Sequence, residues 1–358
     1  MQVGTSFFVN PNRTIVIATR GSALALAQAR NVMESARLLF PDQPFELKVV
    51  RTTGDQMQAA SMANPDRALD KGLFTKELEV ELESGAADLA VHSLKDLPTE
   101  LPSGLELIAT LPRADVREVL LYRDAANVAA RPPITEWSPG QRLMKGFPPG
   151  LKLSRLPAKT VVATNSTRRA ALLRAIRSDI EIVPIRGNVG TRLGKLAEDP
   201  KFDMTILAAA GLVRLGLFLG PKDRLMLDPT LPRGHACEPP PAGLLGRLLE
   251  PEEFLPAPGQ GAIGIEIRTD NPEARRIASA LNHGNTWRCV LAERAFLRGI
   301  GGGCQSPVAA SARIVGHQVH LRAAWMKDGS GWRGEGRRAA AEAEVLGLEL
   351  AGQARGNR

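Results

Sequence analysis

In "RTIVIATRGSALALAQARNVMESARLLF" the β-branched, apolar run at 14–18 predicts a strand, and the apolar positions that follow at helical spacing predict an amphipathic helix from about 22 to 39. "FELKVVRTTGD" predicts a second strand at 45–51 that runs into a polar loop. Residues 55–69 show no firm periodicity, so a loop is expected there, either a mobile cover for a site or a plain solvent loop with a short helical turn. "KGLFTKELEVELESG" then spaces Leu73, Leu78 and Leu82 along a helix, and "ADLAVHSL" reads as a strand that delivers Lys95 and Asp96 just past its carboxyl end. Strand, helix, strand is the opening of a parallel α/β unit, and such sheets bind ligands at their carboxyl edges.

A second unit with the same grammar begins near residue 112, with strands at 160–164, 181–185 and 203–209 and helices at 167–177 and 189–197. Polar residues again fall at the strand ends, which is how a two-lobed protein builds a cleft between its lobes. The proline- and glycine-rich segment 124–158 carries little pattern and reads as a surface insertion. "PGQGAIGIEIRTD" predicts a strand at 262–268, without the GxGxxG order of a dinucleotide site. From about 284 the pattern is a helix at 286–298, a glycine-flanked turn, strands near 307–315 and 317–326, a further strand after "KDGSG", and a helix from 338.

Composition narrows the class. The 358 residues are 44% hydrophobic and 23% charged, as in a soluble globular protein of two or three domains. Three cysteines, Cys237, Cys289 and Cys304, form no disulfide framework and no paired zinc spacing, and five scattered histidines form no metal constellation. The first twelve residues lack the basic and apolar blocks of a secretory signal, and no stretch reaches the length of a membrane span, so a cytoplasmic protein is expected. The net charge of +8 fits either nucleic acid or a multiply anionic small ligand. With aromatics at 4% and no helix-turn-helix, zinc-finger or RNA-binding motif, nucleic acid is the weaker choice.

The candidate chemistry lies at the strand ends. Arg20, Arg168, Arg169, Arg186, Arg192 and Arg214 sit at or near helix starts and loop positions, where guanidinium forks match carboxylates. Ser22 and Ser166 are placed to cap the helices beside them. Cations at a helix start oppose its dipole, so Arg168 and Arg169 call for an anion. Asp96 offers a carboxylate to orient donors or to move a proton, whereas His92, inside a strand, reads as a structural hydrogen-bonding residue. "GGGCQSP" presents Cys304 on a turn rather than in a core.

Taken together, "ATRGSALALAQA", "TTGD", "KGLFTKELE", "ADLAVHSLKDLP", "RRAALL", "IRGNVGTRLGKL", "ILAAAGLVRLG", "PGQGAIGIE", "LNH", "AERAFL" and "GGCQSPV" resemble the porphobilinogen deaminase (hydroxymethylbilane synthase) family, in the family's order and across nearly the whole chain. The resemblance implies two similar periplasmic-binding-protein-like lobes with mixed sheets and a small α+β C-terminal domain. Its boundaries place domain 1 at 1–111 and 262–280, domain 2 at 112–261 and domain 3 at 284–358. It implies a dipyrromethane cofactor joined through a thioether to Cys304 and no metal, with Asp96 assisting loss of ammonia from porphobilinogen. The resulting azafulvene-like cation is attacked by the free α-carbon of the terminal pyrrole, and four rounds precede hydrolytic release of hydroxymethylbilane.

Each ring bears an acetate and a propionate, and the implied partners of those carboxylates and of the growing polypyrrole are Arg20, Ser22, Lys95, Thr164, Ser166, Arg168, Arg169, Arg186, Arg192, Arg214 and Gln260. Thr52, Gly54, Asp55 and Lys71 fall in the implied active-site loop. The departures from the family, surface insertions at about 124–158 and 218–257, "TNSTRR" for "TSSLRR" and "LDKGLF" for a more glycine-rich approach to the loop, remove no residue the chemistry requires. A cytoplasmic monomer that binds neither nucleic acid nor membrane is expected. The rival is a non-catalytic carboxylate-binding protein with the same lobes and arginines, which has no need of Cys304.

Overall fold

The computed structural model describes residues 13–51, 75–131, 142–230, 238–303, 305–327 and 330–356. These fall into two compact units, Met1–Pro112 with Ala262–Trp287 and Arg113–Gly261 with Arg288–Arg358.

The chain begins with strand β1 (Ile15–Arg20), helix α1 (Ala23–Leu39), strand β2 (Phe45–Val50), helix α2 (Lys76–Glu83), and strands β3 (Leu89–Ser93) and β4 (Leu105–Thr110). It continues through β5 (Glu118–Arg123), the short α3 (Ala125–Ala129), β6 (Val161–Ala163), α4 (Thr167–Ile176), β7 (Glu181–Val183), α5 (Val189–Glu198) and β8 (Met204–Ala208). Next come α6 (Ala209–Arg214), the hairpin β9 (Leu217–Leu219) and β10 (Leu225–Leu227), then β11 (Leu244–Leu249). Strand β12 (Ile263–Arg268) and helix α7 (Pro272–Leu281) follow. The last part is α8 (Gly284–Gly299), β13 (Val308–Val315), β14 (Gln318–Lys327), β15 (Ser330–Ala339) and α9 (Ala343–Gly356).

The first unit holds a five-stranded sheet in the order β2-β1-β3-β12-β4, and the second holds one in the order β11-β5-β8-β6-β7. In the first, β1 lies parallel to β2 and β3, and β12 runs antiparallel to both β3 and β4. In the second, β6 lies parallel to β7 and β8, and β5 runs antiparallel to both β8 and β11. Both sheets therefore have one pattern, three parallel strands, one reversed and one more, which gives two similar α/β lobes with mixed sheets. Each is covered on both faces: in β1, Ile15 and Ile17 enter the core beneath α1 and α7, whereas Ala18 enters the one beneath α2. Burial on both faces explains why such strands read as continuous apolar runs.

The C-terminal part is a three-stranded meander, β13-β14-β15. Along β14, Val319, Leu321 and Ala323 pack with Phe296 of α8 and Leu346 and Leu350 of α9, while Ala324 on the opposite face joins the second lobe's core. This is the small α+β unit. The helix expected from 338 starts later, because β15 stays paired with β14 as far as Ala339, opposite Gln318.

Two expectations are corrected. In the segment read as a surface insertion at 124–158, Phe147, Leu151, Leu153 and Leu156 belong to the second lobe's core. Buried Arg123 pins this stretch by donating from Nε to the Lys145 carbonyl at 2.9 Å, and the Phe147 amide returns to the Arg123 carbonyl at 2.8 Å. Within 218–257, β11 is a full sheet strand, and Leu245, Leu249, Phe254 and Leu255 are core residues.

Candidate active site

In the first lobe, β1 ends at half-buried Arg20, and Ser22 caps α1, its Oγ accepting from the Ala25 amide at 3.2 Å. Lys95 and Asp96 stand on a single 3-10 turn, Leu94–Asp96, immediately after β3. Buried Leu94 and Leu97 bracket the pair, and the Leu94 amide is tied to the Ala262 carbonyl at 3.1 Å. With its neighbours anchored inward, Asp96 is left exposed and Lys95 half-buried.

The second lobe repeats the device. After β6, Thr164 accepts at Oγ1 from the Ser166 amide at 3.1 Å, and Ser166 caps α4 by accepting from the Arg169 amide at 3.4 Å. Helices α1, α4 and α5 all carry a side-chain cap and no acidic residue in the first turn. Helix α2, by contrast, starts with Glu77 and Glu79. The acid-free starts leave the positive ends of those dipoles open to an external anion.

Arg168 and Arg169 are only 5% and 6% exposed, and the anion they call for is internal. Glu118, at the start of β5 and fully buried, takes Arg168 through Oε1 and takes Arg169 through both oxygens, with Nη2 to Oε2 at 2.7 Å and Nε to Oε1 at 3.1 Å. Arg168 also donates from Nη1 to the Leu255 carbonyl at 2.7 Å. Burial pushes the Arg168 guanidinium down from its ordinary value, with Glu118 opposing that shift.

Half-buried Arg186 follows β7, and Arg192 in α5 donates from Nε to the Gly187 carbonyl at 2.7 Å. Arg214, at the end of α6, donates from Nη2 to the Gly261 carbonyl at 2.7 Å, and burial pushes its pKa down to about 10, so it remains charged at neutral pH. Among the described residues no carboxylate pairs with it. Gln260 is fully buried, and its amide donates to the Val116 carbonyl at 2.8 Å, so its side chain braces the 113–116 stretch.

Cys304, Thr52, Gly54, Asp55 and Lys71 lie outside the described residues. The carbonyl of Gln305 accepts from Thr167 Oγ1 at 2.5 Å, which sets the residue after Cys304 against the start of α4, beside Ser166 and Arg168. Cys289 is buried in the C-terminal core, and desolvation pushes its thiol up to about 11, as suits an inert structural cysteine. Among the described residues no His, Cys, Asp and Glu cluster could hold a metal ion, and no helix is long and apolar enough to cross a membrane.

Besides Glu118, two further buried glutamates among the described residues escape a reading of the sequence. Glu293 accepts from Arg113 at 2.7 and 2.9 Å and from the amides of Gly259 at 2.7 Å and Ala312 at 2.6 Å. Glu266 lies 2.8 Å from His92 Nε2, consistent with a structural role for that histidine. Glu266 and Glu293 are each the one acid of an apolar stretch, while Glu118 opens the apolar run of β5 directly after the charged "RADVR", so none of the three gives more than a weak local signal.

Two family models match the chain. "Porphobilinogen deaminase, dipyromethane cofactor binding domain" covers residues 15–276, and "Porphobilinogen deaminase, C-terminal domain" covers 287–355. The porphobilinogen deaminase of Syntrophomonas wolfei is 38% identical over 95% of this chain and 94% of its own. That of Thermus thermophilus is 38% identical over the same shares, and that of Syntrophobacter fumaroxidans is 40% identical over 85% of this chain and 81% of its own. Among solved structures, the OxyR2 regulatory domain of Vibrio vulnificus aligns at 12% identity and a TM-score of 0.37 over 76% of this chain and 96% of that one, a similarity too low to bear on fold or function.

Proposed function

Since the chain belongs to the porphobilinogen deaminase family, we propose that it condenses four porphobilinogen molecules head to tail, with release of ammonia, into hydroxymethylbilane on a dipyrromethane primer joined to Cys304 through a thioether. The observation that carries the reading at the level of residues is Arg214, a half-buried, partly desolvated cation with one carbonyl acceptor and no carboxylate partner among the described residues. Such a charge is costly unless an anion meets it, and both the substrate and the primer are rich in carboxylates.

The residues present fit the cofactor. The start of α4, with Thr164, Ser166, Arg168 and Arg169, is the anion-binding set tied to Gln305, the neighbour of Cys304, through Thr167, and Arg214 adds a further cation. When bound, dipyrromethane supplies the free pyrrole carbon at which condensation begins. Arg20, Ser22, Lys95, Arg186 and Arg192 hold further substrate carboxylates, and Gln260 supports the set from within. Asp96, exposed on a turn whose flanking leucines are anchored, presents a fixed carboxylate to the departing aminomethyl group and steadies the positive charge that develops as ammonia leaves. Thr52, Gly54, Asp55 and Lys71 belong to a loop that covers the reaction. We read 284–358 as a third domain beside 1–111 with 262–280 and 112–261; the pairing of β12 with β3 and β4 supports the return of 262–280 to domain 1, and the separate core of the meander with α8 and α9 supports the third domain. The enzyme acts as a cytoplasmic monomer.

Intact-protein mass spectrometry tests the reading. The purified chain is expected to exceed its sequence mass by one dipyrromethane, and Cys304→Ala is expected to remove the increment together with activity. A fully active protein of unmodified mass would overturn the attachment.

A further inference from the structure

Resting on the reading of Arg168 and Arg169 as carboxylate binders, we propose that Glu118 is the positioning residue that turns these two arginines into one aimed anion receptor. Three observations carry this. The first is the rigidity of its base: Glu118 is the first residue of β5 and is paired on one side with Ala208 of β8 and on the other with Leu249 of β11, so its backbone cannot shift without disturbing the middle of the sheet. The second is the sharing: one fully buried carboxylate holds both guanidiniums, Arg169 side-on through Nε and Nη2 and Arg168 through Nη2.

The third is what remains. Each guanidinium has five N–H donors, and the bonds to Glu118 and to the Leu255 carbonyl use two on each, leaving three on each for a ligand. At 5% and 6% exposure the two side chains keep only a small opening to solvent, and none of their nitrogens is both buried and without a partner. Adjacent like charges at a helix start would otherwise repel each other and the dipole, and long, flexible side chains would swing apart. Glu118 holds them in register before the ligand arrives, which is the condition for bidentate recognition of an acetate or propionate group.

Positioning and mere charge balance predict opposite signs. If Glu118 only offset charge, Glu118→Gln would add net positive charge beside the ligand and tighten binding. If it positions the pair, the same change loosens both forks and weakens binding.

The experiment compares wild type, Glu118→Gln and Glu118→Asp by thermal midpoint, by the fraction carrying the dipyrromethane mass increment, and by KM and kcat for porphobilinogen in the loaded fraction. Glu118→Gln is expected to lower the loaded fraction and to raise KM by roughly tenfold to a hundredfold, the worth of a charge-assisted hydrogen bond, with a smaller change in kcat. Glu118→Asp keeps the charge but withdraws it by one methylene, and is expected to fall between the two with its fold intact, which keeps the test open should the glutamine variant fail to fold. An unchanged or lowered KM and full loading in either folded variant would overturn the assignment. A wild type that neither gains the increment nor releases ammonia from porphobilinogen would overturn the functional reading itself, and the assignment with it.

Discussion

Buried Arg169 and half-buried Arg214 are held in two different ways. Arg169 is met by the two oxygens of Glu118, while Arg214 has only the Gly261 carbonyl, which already accepts the Ala114 amide at 3.0 Å. Removing the Arg214 charge therefore leaves no orphaned partner. Arg214→Met, which keeps the apolar stem, is expected to leave the thermal midpoint unchanged or slightly raised while KM for porphobilinogen rises about tenfold or more. A fall of several degrees with KM unchanged would make Arg214 a structural residue instead. Both arginines were legible in the sequence, Arg169 because a basic residue at a helix start stands out locally and Arg214 through the resemblance carried by "ILAAAGLVRLG". Glu118 was not, because the carboxylate that serves Arg168 lies 50 residues earlier, in a strand that reads only as apolar. Gln260 was found by family resemblance, but its burial and its bond to Val116 place its side chain in the scaffold rather than on an open surface.

The C-terminal meander shows what alternation in a strand reveals and what it hides. Its strands were legible because β14 alternates inward Val319 and Leu321 with outward His320 and Arg322. The alternation did not show that His320 is buried, since that depends on Arg313 of β13 and Arg337 of β15, which face it across the sheet. Burial pushes the His320 imidazole down from its usual value, Arg337 and Arg313 add to the shift, and Glu335, which also holds Arg322, opposes it. A base whose folded value is depressed contributes stability in full above its unfolded value near 6.5, and that stability is lost as the pH falls through the folded value. The urea midpoint of wild type is thus expected to drop more between pH 7.5 and pH 5 than that of His320→Gln. Equal drops would show that protonation of His320 costs the fold nothing. Strands β4, β5 and β11 and the core leucines of 151–156 were harder to see for another reason. Each is short or flanked by proline and glycine, and each owes its place to partners far away in sequence, as β11 does to β5.

For the molecule as a whole, charge joins the fold to the chemistry. The chain carries 46 lysines and arginines against 38 acids, a net +8, yet buried acids such as Glu118 and Glu293 spend their charge on single arginine partners or pairs within the protein. On the proposed function, what attracts a ligand is the uneven remainder: Arg214 without a carboxylate among the described residues, and the acid-free starts of α1, α4 and α5, each capped by a neutral side chain. Salt separates these two populations. Buried pairs are screened weakly, whereas the field that draws an anion from solution shrinks with a Debye length that falls from about 10 Å at 0.1 M to about 3 Å at 1 M. Raising sodium chloride from 0.05 to 0.5 M is therefore expected to raise KM for porphobilinogen severalfold, to leave kcat within about twofold, and to leave the thermal midpoint nearly unchanged. The effect is also expected to be smaller in Arg214→Met, which lacks one of the charges responsible. If kcat fell with KM constant, recognition of carboxylates by this remainder would not govern substrate capture, and the acid-free helix starts would have only a local structural meaning.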